Sequence, residues 1–277
     1  MSLKQVSEML TDIAKATGEV GLGLHMGKAK LLSNGIGRMT TSRKVTVLNK
    51  EVEVLPPWKA TAYLGKDLCL SNVHDAEIES RVRKAWAKFN KFKSELCDTA
   101  FSLNLRLRLF NAVVTQTMMY GSAAWAMTCE RETRLKTTQR KMLRSIIGTK
   151  RAADEEEDDG IENFVTWMKR STAKVRDAMI EADIPDWVEL QRQKKWTFTG
   201  RTLARADKSW TELMITSNIQ GKRRDGRPLK RWSDDIVAFL AGMYSPDCAK
   251  TDSWTAVTEC KAVWVMHAYD FARQHWH

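Results

Sequence analysis

Residues 73–97 read VHDAEIESRVRKAWAKFNKFKSELC, and in them Ile78, Val82, Trp86, Phe89, Phe92 and Leu96 recur at three- and four-residue steps. That period lays one apolar stripe along a helix; a strand would alternate at every second residue. Arg81, Lys84, Lys88 and Lys91 step along a second face at the same period. The pattern returns twice more. Ser102 is a good N-cap for a helix that turns Leu105, Leu109, Val113 and Thr117 inward and reaches Tyr120-Gly121, where glycine can end it. A third helix carries Leu135, Met142, Leu143, Ile146 and Ile147 inside and Arg131, Arg134, Arg140, Lys141 and Arg144 largely outside, stopping at Gly148. Residues 73–150 therefore read as a helical platform with cationic outer faces. Such faces suit a polyphosphate backbone, because each neutralised phosphate releases condensed counterions. The same charges also serve as a plain solvated surface.

Upstream the period changes. Residues 2–17 are helical in pattern, with Leu3, Val6, Leu10 and Ile13 on one face, and Gly18 and Gly21 then break the helix. Leu22, Leu24 and Met26 alternate with Gly23, His25 and Gly27, a half-buried strand that Lys28 and Lys30 follow at once. Asn34-Gly35 signals a turn. Val45 and Val47, then Val52 and Val54, alternate around Asn49-Lys50 as a hairpin that Pro56-Pro57 closes. Ala62 to Leu70 is a short strand-and-turn segment holding Tyr63-Leu64-Gly65. The expected fold is mainly α, with a small α+β part over residues 1–72 and helices thereafter.

Beyond Gly148 comes the run Asp154 to Asp159, all carboxylates, and then Gly160. A Mg²⁺ site needs carboxylates converging from separate elements. Adjacent ones repel and favour a solvated linker, here residues 151–160. Helical spacing resumes through Phe164, Met168, Val175 and Met179, beside Lys169, Arg170, Lys174 and Arg176, until Asp183-Ile184-Pro185-Asp186 breaks it. Trp187 to Leu203 forms another helix, basic at Arg192, Lys194, Lys195 and Arg201. The densest charge lies in Gly221 to Trp232, where Lys222, Arg223, Arg224, Arg227, Lys230 and Arg231 stand against Asp225 alone. Such a loop can lay guanidinium forks along phosphates with Trp232 free to pack or stack; a nuclear-import signal and plain surface are competing uses. Ser233 or Asp234 caps a helix with Ile236, Val237, Phe239 and Leu240, and a last helix spans about 254–271 with Val257, the Lys261 stem, Trp264 and Ala268 on one face.

The 277-residue chain has 45 Lys+Arg against 34 Asp+Glu, a formal charge of +11 that favours an anionic partner, nucleic acid before membrane. No apolar run approaches a membrane span and no secretory h-region opens the chain, so a nuclear or cytoplasmic location is expected. Five scattered cysteines with no Cys-x-x-Cys suit a reducing compartment. Cys248, Cys260, His267 and His275 match no compact zinc spacing, so no metal site is expected.

Taken in order, these segments resemble the C-terminal part of a reverse transcriptase from a non-LTR (LINE-type) retrotransposon. The family's palm motif runs roughly Gly-Leu-x-x-Asn-x-x-Lys-Thr-Lys. Here Gly21-Leu22-Gly23-Leu24-His25-Met26-Gly27-Lys28-Ala29-Lys30 stands in its place, with His25 and Ala29 for the usual Asn and Thr. Tyr63-Leu64-Gly65 is similar to the family's primer-grip Tyr-Leu-Gly. Leu105 to Phe110, Tyr120-Gly121 and Trp125 resemble its thumb pattern, and Leu143-Arg144-Ser145-Ile146-Ile147-Gly148 its Leu-Arg-x-Ile-x-Gly. Trp196 to Gly200 and Gly226 to Asp235 resemble the post-thumb region.

The resemblance implies a palm remnant over 1–72, a thumb over 73–150 and a basic post-thumb region over 161–277. It makes Lys28 the equivalent of the palm lysine that protonates departing pyrophosphate, a role that is empty without metals and nucleotide. Polymerase chemistry in the family needs palm aspartates, among them an aromatic-Ala-Asp-Asp hairpin, to hold two Mg²⁺ ions. That hairpin would lie upstream of the first helix, so the chain is expected to begin after it. Neither Asp158-Asp159 nor Asp234-Asp235 follows an aromatic-Ala pair. The expectation is a truncated polypeptide, without cofactor or catalytic residue of its own, that binds RNA, DNA or an RNA–DNA hybrid, or meets a catalytic palm in trans. Arg81, Lys84, Lys88, Lys91, Arg140, Arg144, Lys222, Arg223, Arg224, Arg227, Lys230, Arg231 and Trp232 are the candidate contacts. The alternative is a non-catalytic helical structural or protein-interaction module.

Overall fold

The computed structural model describes residues 3–25, 27–33, 43–47, 50–153, 161–205, 209–216, 230–243, 254 and 261–274. The chain is mainly helical with a small α+β part near its start, and it divides into two compact units, Met1–Ser80 and Arg81–His277. The division falls within helix α2 (Val73–Lys91).

In the first unit α1 (Leu3–Glu19) is followed by β1 (Lys30–Leu32), β2 (Arg43–Val47) and β3 (Lys50–Leu55), with sheet order β1-β3-β2. The valine alternation does set a hairpin: β2 and β3 are antiparallel with Val45 opposite Val52. Val52 is buried against Leu10 of α1, Leu24, Ala29, Leu31 and Val45. The expected strand at 22–27 does not form among the described residues; β1 begins at Lys30 and runs parallel to β3. Glycine at alternate positions offers no side chain to pack and weakens a strand. The chain turns there instead, with the Lys28 and Ala29 N–H groups both donating to the His25 carbonyl. Gly18 likewise stays within α1, and the chain leaves the helix through Gly21 at φ +76°.

A second ribbon, β4 (Thr61–Tyr63) and β5 (Lys66–Leu68), is closed by Leu64 at φ +48° and Gly65 at φ +79°. Positive φ at both central residues is the type I′ turn that matches hairpin twist.

In the second unit α3 (Lys93–Cys97) and α4 (Leu103–Phe110) are followed by a π turn (Asn111–Thr115), α5 (Gln116–Met118) and a 3₁₀ turn (Ser122–Ala124). Then come α6 (Cys129–Ile147), α7 (Phe164–Glu181), α8 (Trp187–Leu203), α9 (Trp210–Thr216), α10 (Asp234–Met243) and α11 (Lys261–Arg273). Caps fix several ends. Ser102 accepts from the Leu105 N–H at 3.4 Å, Asp186 accepts from Val188 at 2.8 Å, and Gly148 at φ +70° stops α6. Trp187 to Leu203 forms a helix with the expected bounds.

The phase of α4 is not the expected one. Leu107, Phe110, Val114 and Met118 are buried, while Leu105 is 53% exposed and Leu109, Val113 and Thr117 are half-buried. Leucines at 103, 105, 107 and 109 satisfy more than one helical register, and the largest side chains decide between them. Phe110 stacks on Trp187 with centroids 6.0 Å apart. The π turn then adds a residue to the helix and shifts the face that follows.

Helix α8 is the hub, packing on α6, α9, α11 and the 3₁₀ turn. Its Trp196 and the Trp264 of α11 stack at 4.0 Å, each indole N–H donating to the other residue's carbonyl at 2.7 and 3.0 Å. Leu203, Ile236, Phe239, Leu240, Trp254 and Phe271 complete that core. No helix among the described residues is long and apolar enough to cross a membrane. The Asn34-Gly35 turn, the run 154–160, the stretch 221–229, Val257, Cys248, Cys260 and His275, and the side chain of Lys261, lie outside the described residues.

Candidate nucleic-acid interface

Several cations of the second unit are spent inside it. Arg106 is buried, and its guanidinium donates to the carbonyls of Ile146 at 2.6 Å and Phe101 at 3.2 Å. Arg192 donates to the Ala272 and Gln274 carbonyls at the end of α11 and to Glu132 at 2.6 Å. Lys195 is fully buried and reaches both Asp235 oxygens at 2.6 and 2.7 Å. Burial pulls the Lys195 ammonium below lysine's ordinary value, and Asp235 opposes that pull. Arg192 and Lys195 thus do not share the outer face that the basic spacing of α8 suggests. A helix packed against four neighbours has little outer face at its centre, and charge survives there only when paired.

The other candidates divide. Arg81 is also buried, its guanidinium 4.5 Å from the Tyr120 ring centroid, a cation–π distance. Lys84, Lys88 and Lys91 are exposed along α2. Arg140 is half-buried in a mixed-charge recess with Arg176, Arg273, Asp183 and Asp186. Arg144 is half-buried, donates to Thr172 at 3.0 Å and lies over Trp167, and burial followed by the charge of Arg140 lowers its pKa. Lys222, Arg223, Arg224 and Arg227 lie outside the described residues; Lys230 is half-buried and Arg231 exposed. In the first unit Lys28 is exposed, and Tyr63, Leu64 and Gly65 form the exposed tip of the β4–β5 hairpin.

One concave surface gathers residues that lie far apart in the sequence. Gly121 at φ +69° turns the chain from α5 into the 3₁₀ turn, and carbonyls on both sides of it are tied down. Gln191 donates to Ser122 at 3.1 Å, the Trp232 indole to Ala123 at 2.8 Å, and Lys194 to Met119 at 3.4 Å. Between this turn and α8 lies an open groove of about 730 Å³, lined by Tyr120, Gln116, Gln193, Lys194, Phe198 and Arg201 among others, with no carboxylate among the described residues of its wall. Tyr120 is 50% and Phe198 40% exposed, and Phe198 meets Trp232 edge to face at 6.3 Å. Burial lowers the Lys194 pKa. The groove therefore alternates cations with aromatic rings, the combination that follows a phosphate backbone and stacks its bases.

Sequence reasoning singled out Trp232, Arg81 and the Tyr120-Gly121 turn but not their convergence with Lys194, Phe198 and Arg201. The signal was present: positions 194, 198 and 201 are spaced four and three and share one face of α8. Among the described residues no group of three or more His, Cys, Asp or Glu side chains is placed to hold a metal.

A Caenorhabditis elegans protein named as an uncharacterized transposon-derived protein is 28% identical to this chain over 261 residues, covering 94% of the chain and 87% of that protein. No family model matches the sequence, and no solved structure matches it. The chain is thus similar to a transposon-derived protein along nearly its whole length.

Proposed function

We propose that the chain is the C-terminal part of a non-LTR retrotransposon reverse transcriptase that holds nucleic acid and does not polymerise by itself. Residues 1–72 are its palm remnant, 73–150 its thumb-like helices, 151–160 a linker and 161–277 a basic post-thumb region. The observation that carries the reading is the groove with no carboxylate among the described residues of its wall, where Lys194 and Arg201 flank Phe198 across from Tyr120. The likeness to a transposon-derived protein supports the origin. The partner is RNA, DNA or an RNA–DNA hybrid, reached in the nucleus or cytoplasm, or a catalytic palm in trans that brings its own Mg²⁺. Lys84, Lys88 and Lys91 add phosphate contacts along α2, and the exposed Tyr63-Leu64-Gly65 tip corresponds to the primer grip.

The test is a gel shift with an RNA–DNA hybrid and with single-stranded RNA, comparing the parent with Lys194→Glu/Arg201→Glu. Removing two cations and adding two anions should weaken binding to all sequences alike, because phosphate contacts carry no base information. Unchanged binding would remove the groove from the interface.

A second reading, a helical structural or protein-interaction module, draws on the internal use of Arg106, Arg192 and Lys195. It predicts no polynucleotide binding.

A further inference from the structure

We propose that the groove between the 3₁₀ turn and α8 seats an unpaired nucleotide of a single strand; this rests on the nucleic-acid reading above. Its volume of about 730 Å³ falls within the ~300–1,000 Å³ of small-ligand sites, enough for a base with its sugar and phosphate. A duplex has no splayed base to put there.

The lining supplies each kind of contact that an unpaired nucleotide needs. Tyr120 and Phe198 stay half exposed in a unit that buries Trp187, Trp196, Trp254 and Trp264 completely or nearly so. Aromatic surface at the wall of a basic recess is what a base stacks on, whatever its identity. Arg81 over Tyr120 adds positive charge beside that ring. The amides of Gln116 and Gln193, also in the wall, carry both donors and acceptors and so can meet a base edge. Lys194 and Arg201 stand one helical turn to either side of Phe198 on the same face of α8, so each can reach a phosphate flanking a base stacked at Phe198.

The walls are also preformed. Gln191 and Trp232 hold the carbonyls of Ser122 and Ala123, so the site forms without reordering the turn. An acidic peptide would use the two cations and leave the rings and amides without a role.

The experiment measures fluorescence anisotropy of labelled oligouridylate, oligothymidylate and a blunt RNA–DNA hybrid with the full chain, its Phe198→Ala and Phe198→Trp variants, and a Lys84→Ala/Lys88→Ala/Lys91→Ala variant. Phe198→Ala should weaken binding of both single strands on the order of 10-fold or more, well beyond its effect on the hybrid, and be rescued by Phe198→Trp. The triple lysine variant should weaken single strands and hybrid together. If Phe198→Ala weakens hybrid and single strands equally, or changes neither, the nucleotide seat is wrong while nucleic-acid holding stands. If polyglutamate displaces oligouridylate as well as unlabelled oligouridylate does, the occupant is an acidic chain and the proposal falls. Failure of all three probes to bind removes both the seat and the reading beneath it.

Discussion

Gly200→Ala should be one of the most damaging single-methyl changes in the molecule. A Cβ built on Gly200 would lie 2.3 Å from Trp264 Nε1 and 2.4 Å from its Cδ1. The obstacle is not a flexible side-chain tip: Trp264 is 4% exposed, stacked at 4.0 Å on Trp196, and its N–H donates to the Trp196 carbonyl. To admit the methyl, the indole must move out of both contacts. Overpacking of this kind costs about 1–3 kcal/mol. The displaced, buried N–H adds about 1–3 kcal/mol if it finds no other acceptor. Alanine returns up to ~1 kcal/mol through helix propensity. The net loss should be about 1–5 kcal/mol by these terms together, read as a lower urea midpoint at unchanged slope. Gly242→Ala is the control, because its Cβ would meet nothing within 4 Å, and it should be neutral or mildly stabilising. In a Trp264→Leu background the cost of Gly200→Ala should shrink toward zero, since the obstructing atoms are gone. A Gly200→Ala protein as stable as its parent would refute the close approach of α8 and α11.

Asp235→Asn should destabilise by about 3–5 kcal/mol, because it strands the buried Lys195 ammonium; Lys195→Met/Asp235→Leu should recover most of that loss in a denaturant melt. Arg170 donates to both oxygens of Glu162, and with the Ala152 N–H holds that carboxyl at about 2, from its ordinary 4.5. A folded-state pKa depressed in this way stabilises the protein above pH 4.5, and that contribution is lost as the pH falls through 4.5 to about 2. Glu162→Gln should flatten that part of the stability–pH curve. Primer extension by the chain with Mg²⁺ or Mn²⁺ should give no product, and product would overturn the proposal that the chain holds nucleic acid without polymerising by itself.

Features governed by local chemistry were legible in the sequence. The bounds of α8 could be read because Asp186 follows a proline and caps the helix, and the β2–β3 register because valines alternate on a strand with one buried face. Features decided by tertiary context were not. The leucines of α4 fit two registers until Phe110 met Trp187, and the Leu22–Met26 alternation lost to glycine's weak strand preference. Charge was the hardest to place. Arg192 and Lys195 look like surface in any helical projection, and only Glu132, Asp235 and the end of α11, each tens of residues away in the chain, make them interior. The groove was half legible for the same reason: Lys194, Phe198 and Arg201 lie on one face of α8, but Tyr120 and the turn that closes the groove come from residues 120–123.

The most direct test of the nucleic-acid role is the salt dependence of hybrid binding, followed by anisotropy from 50 to 200 mM salt. If about six phosphates are neutralised, affinity should fall on the order of 10³-fold across that range. A flat response would mean that the excess of cations serves the protein itself and not a polyanion.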